Sequence, residues 1–103
     1  MLSREYATFS GVRFEWDPDK AAANFESHGV SLEEASTVLG SPLTVTFFDP
    51  DHSEDEDRYL TFGMSDASRL LVVVHTDRGD STRIISARET TRRERQQYDE
   101  GEW

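Results

Sequence analysis

The chain has 103 residues, the length of one domain, and carries a net charge of −10 from 11 basic and 21 acidic residues. It contains no cysteine, which excludes disulfides and thiolate metal sites and is typical of a reducing cytoplasm. No apolar run approaches the ~20 residues that a membrane span needs, and residues 1–10 lack the apolar centre of a signal peptide. We therefore expect one cytoplasmic domain, residues 1–103, without membrane contact.

The N-terminal part of the chain predicts a strand followed by a helix. Residues 1–10 are expected to be a loose leader or the start of an edge strand. Apolar and polar residues then alternate over Val12–Trp16, as in a half-buried strand. Asp17-Pro18 favours the start of a helix that runs to about His28, and Gly29 stands where a left-handed cap is needed.

Two further helices are indicated by capping-box spacing. Ser31 and Glu34 are spaced to open a second helix, which the glycine, serine and proline at positions 40–42 end. Thr91 and Glu94 have the same spacing and predict a last helix near the end of the chain.

Between these helices lie four strand-like runs with short turns and one acidic loop, residues 49–57. The predicted strands are Leu43–Phe48, Arg58–Met64, Arg69–Thr76 and Arg83–Ala87. Short connections between successive strands favour an antiparallel meander. The order strand, helix, helix, four strands, helix predicts an α+β domain with helices packed on one face of a small antiparallel sheet.

Charge is distributed unevenly along the chain. Six acids and no base lie between Asp49 and Asp57, whereas five arginines and two acids lie between Arg83 and Arg95. The net negative charge opposes nucleic-acid binding, but a local basic patch can still hold a phosphate inside an acidic protein. The acid excess also favours a basic protein partner.

The arginines near the end of the chain are the first candidates for chemistry. Metal-free RNA cleavage needs a base, an acid and cations that stabilise charge on phosphorus, and the arginine fork pairs with two phosphate oxygens. Strand alternation places Arg83 and Arg88 on opposite faces of the sheet, unless a β-bulge or the strand end intervenes. The alternative is a solvated helix face with Arg–Glu pairs.

Other candidates have an ordinary structural alternative as well. His28, at a helix C-terminus, suits either proton transfer or capping of carbonyls. Glu94 and Tyr98 are one helical turn apart, and the tyrosine suits either contact with a base or phosphate, or packing on the sheet. The acidic loop contains oxygen ligands for a hard cation but lacks EF-hand spacing, so a solvated loop is favoured.

Several short strings, in this order and spacing, resemble the BrnT toxin family over about residues 12–101. They are Phe14-Glu15-Trp16-Asp17 with Lys20 and Asn24, His28-Gly29-Val30-Ser31 with Glu33-Glu34-Ala35, Arg58 to Gly63, and Arg83 to Arg88 with Arg92, Glu94 and Tyr98. The resemblance implies a RelE-like ribonuclease fold, metal-independent RNA cleavage without a cofactor, and growth arrest. It also implies a BrnA-like antitoxin whose ribbon-helix-helix domain binds the operon DNA, so that DNA is contacted only through the complex.

The resemblance further implies roles for six residues. Arg58, Arg83 and Arg88 are expected to bind the substrate phosphate. His28 and Glu94 are expected to transfer a proton or to position the substrate. Tyr98 is expected to contact a base or phosphate. Two other functions remain open from the residues: a catalytically weak module of the same fold that binds the antitoxin, and a metal-dependent enzyme or sensor that uses the acidic loop.

Overall fold

The computed structural model describes the backbone of residues 5–9 and, in full, residues 12–52 and 56–103. The elements in chain order are β1 (Glu5–Phe9), β2 (Val12–Trp16), α1 (Pro18–His28), α2 (Leu32–Leu39), β3 (Thr44–Asp49), a short 3-10 helix (Pro50–His52), β4 (Arg58–Met64), β5 (Leu70–Arg78), β6 (Ser81–Glu89) and α3 (Arg92–Glu100). Each predicted element is present, and β1 precedes them as an edge strand. The last two strands are longer than alternation predicted.

The strands form one sheet in the order β1-β2-β6-β5-β4-β3. β3 to β6 make the predicted antiparallel meander. β2 pairs in parallel with β6, so the sheet is mixed where the sequence predicted antiparallel neighbours alone. A parallel pair needs a long crossover, and the alternation within a strand carries no information about such a distant partner. The α+β class is confirmed.

The helices α1 and α2 pack on one face of this sheet, which we call the core face. Its buried cluster is apolar and takes Val30, Leu32, Ala35 and Val38 from the helical layer and Phe14, Trp16, Leu71, Val73, Ile84 and Ala87 from the strands. Burial of this cluster is the main source of stability for a domain of this size. No helix in the described part of the chain is long and apolar enough to cross a bilayer.

The predicted caps of α1 are confirmed. The Asp17 carboxylate accepts a hydrogen bond from the Asp19 N–H at 2.8 Å, and Gly29 ends the helix with φ of 67°. A residue with a side chain is strained at this φ, which explains the glycine.

The capping box predicted for α2 is half formed. The Ser31 hydroxyl accepts from the Glu34 N–H at 3.0 Å, but the Glu34 carboxylate accepts hydrogen bonds from Arg69 and Ser65 instead. Arg69 also donates to the Gly29 carbonyl at 3.1 Å. This network joins the junction of α1 and α2 to the turn between β4 and β5.

A buried asparagine takes the place of a strand partner for β6. β2 leaves the sheet after Trp16, and the Asn24 side chain then donates to the Ala87 carbonyl at 2.9 Å and accepts from its N–H at 3.0 Å. The same amide donates to the Val30 carbonyl at 2.9 Å. Asn24 thereby satisfies backbone groups that would otherwise be buried without partners.

Candidate active site

A β-bulge in β6 decides which side chains share a face of the sheet. Val74 of β5 pairs with Ser86, and the next residue, His75, pairs with Ile84, so Ile85 is the extra residue of the bulge. As a result Ile84 and Ala87 both lie on the core face. Side chains that alternate with them lie on the opposite sheet face, which α3 crosses and which we call the α3 face.

The bulge brings Arg83 and Arg88 to this α3 face together. A regular strand would place residues five positions apart on opposite faces. Arg83 pairs with Thr76 of β5, and Arg88 pairs with Val72, four residues away on the same strand. The α-carbons of the two arginines are therefore about 13 Å apart along the strand. Two long side chains can reach one extended ligand from these positions.

Arg83 is held by a buried carboxylate. Glu15 of β2 is its register partner and is only 4% exposed. The Glu15 carboxylate accepts from the Arg83 guanidinium at 3.2 Å and from the Ser81 hydroxyl at 2.5 Å. The pair therefore keeps the arginine in place and neutralises a buried charge.

Arg58 lies on the same face, at the start of β4. It pairs with Asp49 of β3, and its neighbour Tyr59 pairs with His75, which puts Arg58 beside Thr76. Thr76 is the register partner of Arg83 as well. The α-carbons of the two arginines are therefore separated by two strand spacings, about 10 Å.

Arg88 is bound by the first turn of α3. Its guanidinium donates to both carboxylate oxygens of Glu94, at 2.8 and 3.0 Å. These hydrogen bonds lower the pKa of the Glu94 carboxyl to about 2, and the hydrogen bond from the Thr91 N–H acts in the same direction. The Thr91–Glu94 capping box is complete, as predicted. Glu94 is therefore an anion at neutral pH and a positioning group for Arg88.

The far end of α3 is tied to the sheet by aromatic residues. The Tyr98 hydroxyl donates to the Leu43 carbonyl at 2.7 Å. Beyond the helix, the Trp103 ring lies with its centroid 5.0 Å from that of Phe47 and 4.6 Å from that of Phe62. The sequence predicted Tyr98 on the same helical side as Glu94, and the structure uses both to fasten α3 across the sheet.

A cavity of about 350 Å³ opens between α3 and the sheet. It is lined by aromatic and apolar side chains with two polar groups at the α3 side: Phe47, Leu60, Phe62, Glu94, Gln97 and Trp103.

His28 is not brought to this face. It is the last residue of α1, in the helical layer that covers the core face, and its side chain is exposed. The structure thus groups Arg58, Arg83, Arg88 and Glu94 on one face of the sheet, with Tyr98 anchoring the helix above it.

The acidic loop was the sequence's candidate for binding a hard cation. Residues 53–55 lie outside the described residues. Among the residues that the structure does describe, no group of three or more acidic or histidine side chains is placed to hold a metal ion.

Sequence reasoning overlooked several residues of this face. Glu15 is the neighbour of Arg83 on β2 but lies far from it in the chain. Thr76 is the neighbour of Arg83 within the β5–β6 hairpin, and the bulge determines which residue it faces. Trp103 follows the last helix and carries no motif. Two signals were available for Glu15: the alternation of β2, which sets it opposite Phe14 and Trp16, and its place in the string Phe14-Glu15-Trp16-Asp17.

These features define a small α+β domain that carries three arginines on the α3 face of its sheet. A family model described as "Ribonuclease toxin, BrnT, of type II toxin-antitoxin system" matches residues 16–94. Because that match spans most of the sequence, this chain belongs to the BrnT family of ribonuclease toxins. The predicted family is confirmed, and with it an RNA substrate and an antitoxin partner.

The fold is similar to that of a solved relative. The 1.1 Å crystal structure of the Brucella abortus ribonuclease toxin, BrnT, superimposes with a TM-score of 0.55 and 18% sequence identity, over 82% of this chain and 100% of that chain. A comparison with curated proteins found no match.

Proposed function

We propose that this chain is a metal-independent endoribonuclease whose α3 face holds the scissile phosphodiester of RNA. The observation that carries the proposal is the bulge at Ile85, which turns Arg83 and Arg88 to the face that also carries Arg58. Planar guanidinium groups suit the charge that develops on the phosphorus oxygens during attack by the 2′-hydroxyl.

Within this site we propose a separate role for each residue. Arg58, Arg83 and Arg88 bind phosphate, and Glu94 positions Arg88. Tyr98 holds α3 over the site through the Leu43 carbonyl, from where its ring can contact the substrate.

The role of His28 requires a separate test. Proton transfer by its imidazole requires RNA that reaches around the sheet to the end of α1. A His28→Ala variant that cleaves RNA at the wild-type rate would remove His28 from the site, and a large loss of rate would place it there.

In the cell, we propose that cleavage of transcripts stops translation and growth in the cytoplasm. The net charge of −10 suits a basic partner, and a BrnA-like antitoxin with a ribbon-helix-helix domain would neutralise the toxin and link it to DNA.

Brief induced expression in a bacterium without the antitoxin tests this proposal. Transcripts should be lost and growth should stop with the wild type, but not with Arg88→Ala. Arg95→Ala is a matched control because Arg95 is an exposed arginine on α3 whose ion pair with Asp99 is long, 3.8 Å. Intact transcripts with folded wild-type protein would refute the proposal.

A second function is favoured by one observation, since Arg83 and Arg88 are both already bound by carboxylates. A catalytically weak module that binds the antitoxin would keep such internal pairs permanently. Tight antitoxin binding without any loss of transcripts would identify this alternative.

A further inference from the structure

We infer, resting on the proposed function, that the cavity between α3 and the sheet is a subsite for one unpaired nucleobase of the RNA, with Trp103 as its stacking surface. The cavity holds about 350 Å³, within the range of small-ligand pockets.

The walls of the cavity are suited to a flat ring. Phe47 and Phe62 meet edge to face with centroids 6.0 Å apart, and the Trp103 indole packs against both. Trp103 is nevertheless 41% exposed, so part of its surface remains open to a ligand. Stacking on aromatic side chains is the usual way in which proteins hold unpaired bases.

The neighbourhood of the cavity favours RNA over an apolar protein segment. Glu94 lines the cavity and also binds Arg88, so the aromatic walls adjoin one of the phosphate-binding arginines. A nucleotide carries a flat base and an anionic phosphate a short distance apart. The α3 face likewise carries an aromatic cavity and an arginine that are both in contact with Glu94.

Gln97 gives the subsite a means to distinguish bases. Gln97 lines the cavity together with the aromatic residues, one helical turn from Glu94. An amide offers both a donor and an acceptor, which lets it pair with the edge of a base that offers the complementary pair.

Binding of short labelled oligonucleotides tests the subsite without cleavage. The probes are 2′-O-methyl RNA oligomers, one series with each of the four bases and one series with a single abasic position that is moved along the oligomer. Trp103→Ala should weaken binding of the intact oligomers about tenfold or more, whereas Trp103→Phe should retain most of the affinity. One abasic position should weaken binding to the wild type but not to Trp103→Ala.

Gln97→Ala provides an independent readout. It should reduce the difference in affinity among the four base series while leaving stacking in place. Thermal denaturation of each variant tests whether the domain is folded. In the Trp103 variants the fluorescence of the remaining tryptophan, the buried Trp16, gives a second measure of folding.

The outcomes separate the subsite from the proposed function. Equal oligomer affinity for wild type and Trp103→Ala, with RNA cleavage intact, would overturn the subsite alone. A wild type that neither cleaves RNA nor binds any oligomer would overturn both. Unchanged RNA affinity together with weaker antitoxin binding by Trp103→Ala would overturn the subsite and assign the cavity to the protein partner.

Discussion

Arg88 and Glu94 form a two-pronged ion pair, with guanidinium-to-carboxylate distances of 2.8 and 3.0 Å. A phosphodiester presents two oxygens to a guanidinium in a similar geometry. Glu94 thus holds Arg88 in place and, under the proposed function, a substrate phosphate would compete with this carboxylate for the same two N–H groups. Because the same carboxylate also caps α3 through the Thr91 N–H, at 2.8 Å, the helix and the arginine are linked.

Replacing Glu94 by glutamine should strengthen RNA binding while it weakens the fold. The neutral amide competes less well with phosphate for Arg88, so affinity for an uncleavable oligomer should rise several-fold. Loss of the charged cap and ion pair should cost roughly 1–2 kcal/mol of unfolding free energy. Glu100→Gln, the same change at an exposed site on α3, should alter neither quantity. A lower stability with unchanged RNA affinity would show that Glu94 does not compete with substrate.

Removing Arg83 should destabilise the protein because it takes away the guanidinium that donates to the buried Glu15 carboxylate at 3.2 Å. We expect Arg83→Ala to lower the unfolding free energy by about 3 kcal/mol. Glu15→Gln in the same chain should restore a large part of this loss, since no charge remains buried. Urea denaturation of the two single variants and the double variant measures the coupling. Additive losses would mean that the ion pair does not stabilise the fold.

Asn24→Ala should be among the most damaging substitutions in α1. The side chain makes three hydrogen bonds to backbone groups of Val30 and Ala87, and its removal leaves those groups buried without partners. A loss of roughly 2–4 kcal/mol of unfolding free energy follows. Ser27→Ala, at an exposed position of the same helix, is the control. A melting temperature like that of the control would contradict this role for Asn24.

His75 should make the fold less stable in mild acid. Its Nε2 lies 2.7 Å from the Thr61 hydroxyl, and burial lowers the pKa of the imidazole below 6.5. The unfolded chain then takes up the proton first, so the His75 contribution is complete above pH 6.5 and is lost as the pH falls toward the lowered pKa.

Unfolding free energies at about pH 7.5 and about pH 5.5 test this contribution, with His75→Gln expected to reduce the difference between them. His52→Gln is the control because the His52 side chain is 69% exposed. An unchanged pH dependence in His75→Gln would assign the acid sensitivity to other groups.

Much of the fold follows from local sequence signals. Asp17, Gly29 and Thr91 cap helices as their residue types predict, and alternation located β2 and the meander. These features depend on residues close together in the chain. The parallel pairing of β2 with β6 does not, because it joins segments separated by two helices and three strands.

The site was predictable in its residue types but not in its geometry. Alternation indicated opposite faces for Arg83 and Arg88, and it could not show that a single extra residue, Ile85, would reverse this. Bulges are set by the register with a neighbouring strand, which no local pattern encodes. Glu15 and Trp103 were missed for the same reason, since their importance lies in contacts with distant parts of the chain.

Cleavage of a defined RNA by the purified protein in the presence of a chelator tests the central claim most directly. The wild type should cleave without added metal, Arg88→Ala should be slower by about a hundredfold, and Arg95→Ala should match the wild type. Arg83→Lys should keep the ion pair with Glu15 and the fold but lose much of the rate, because an ammonium lacks the planar fork that can serve both the Glu15 carboxylate and a phosphate. Folded wild-type protein that leaves the RNA intact, or an Arg88→Ala variant as fast as the wild type, would contradict a metal-independent arginine site on the α3 face.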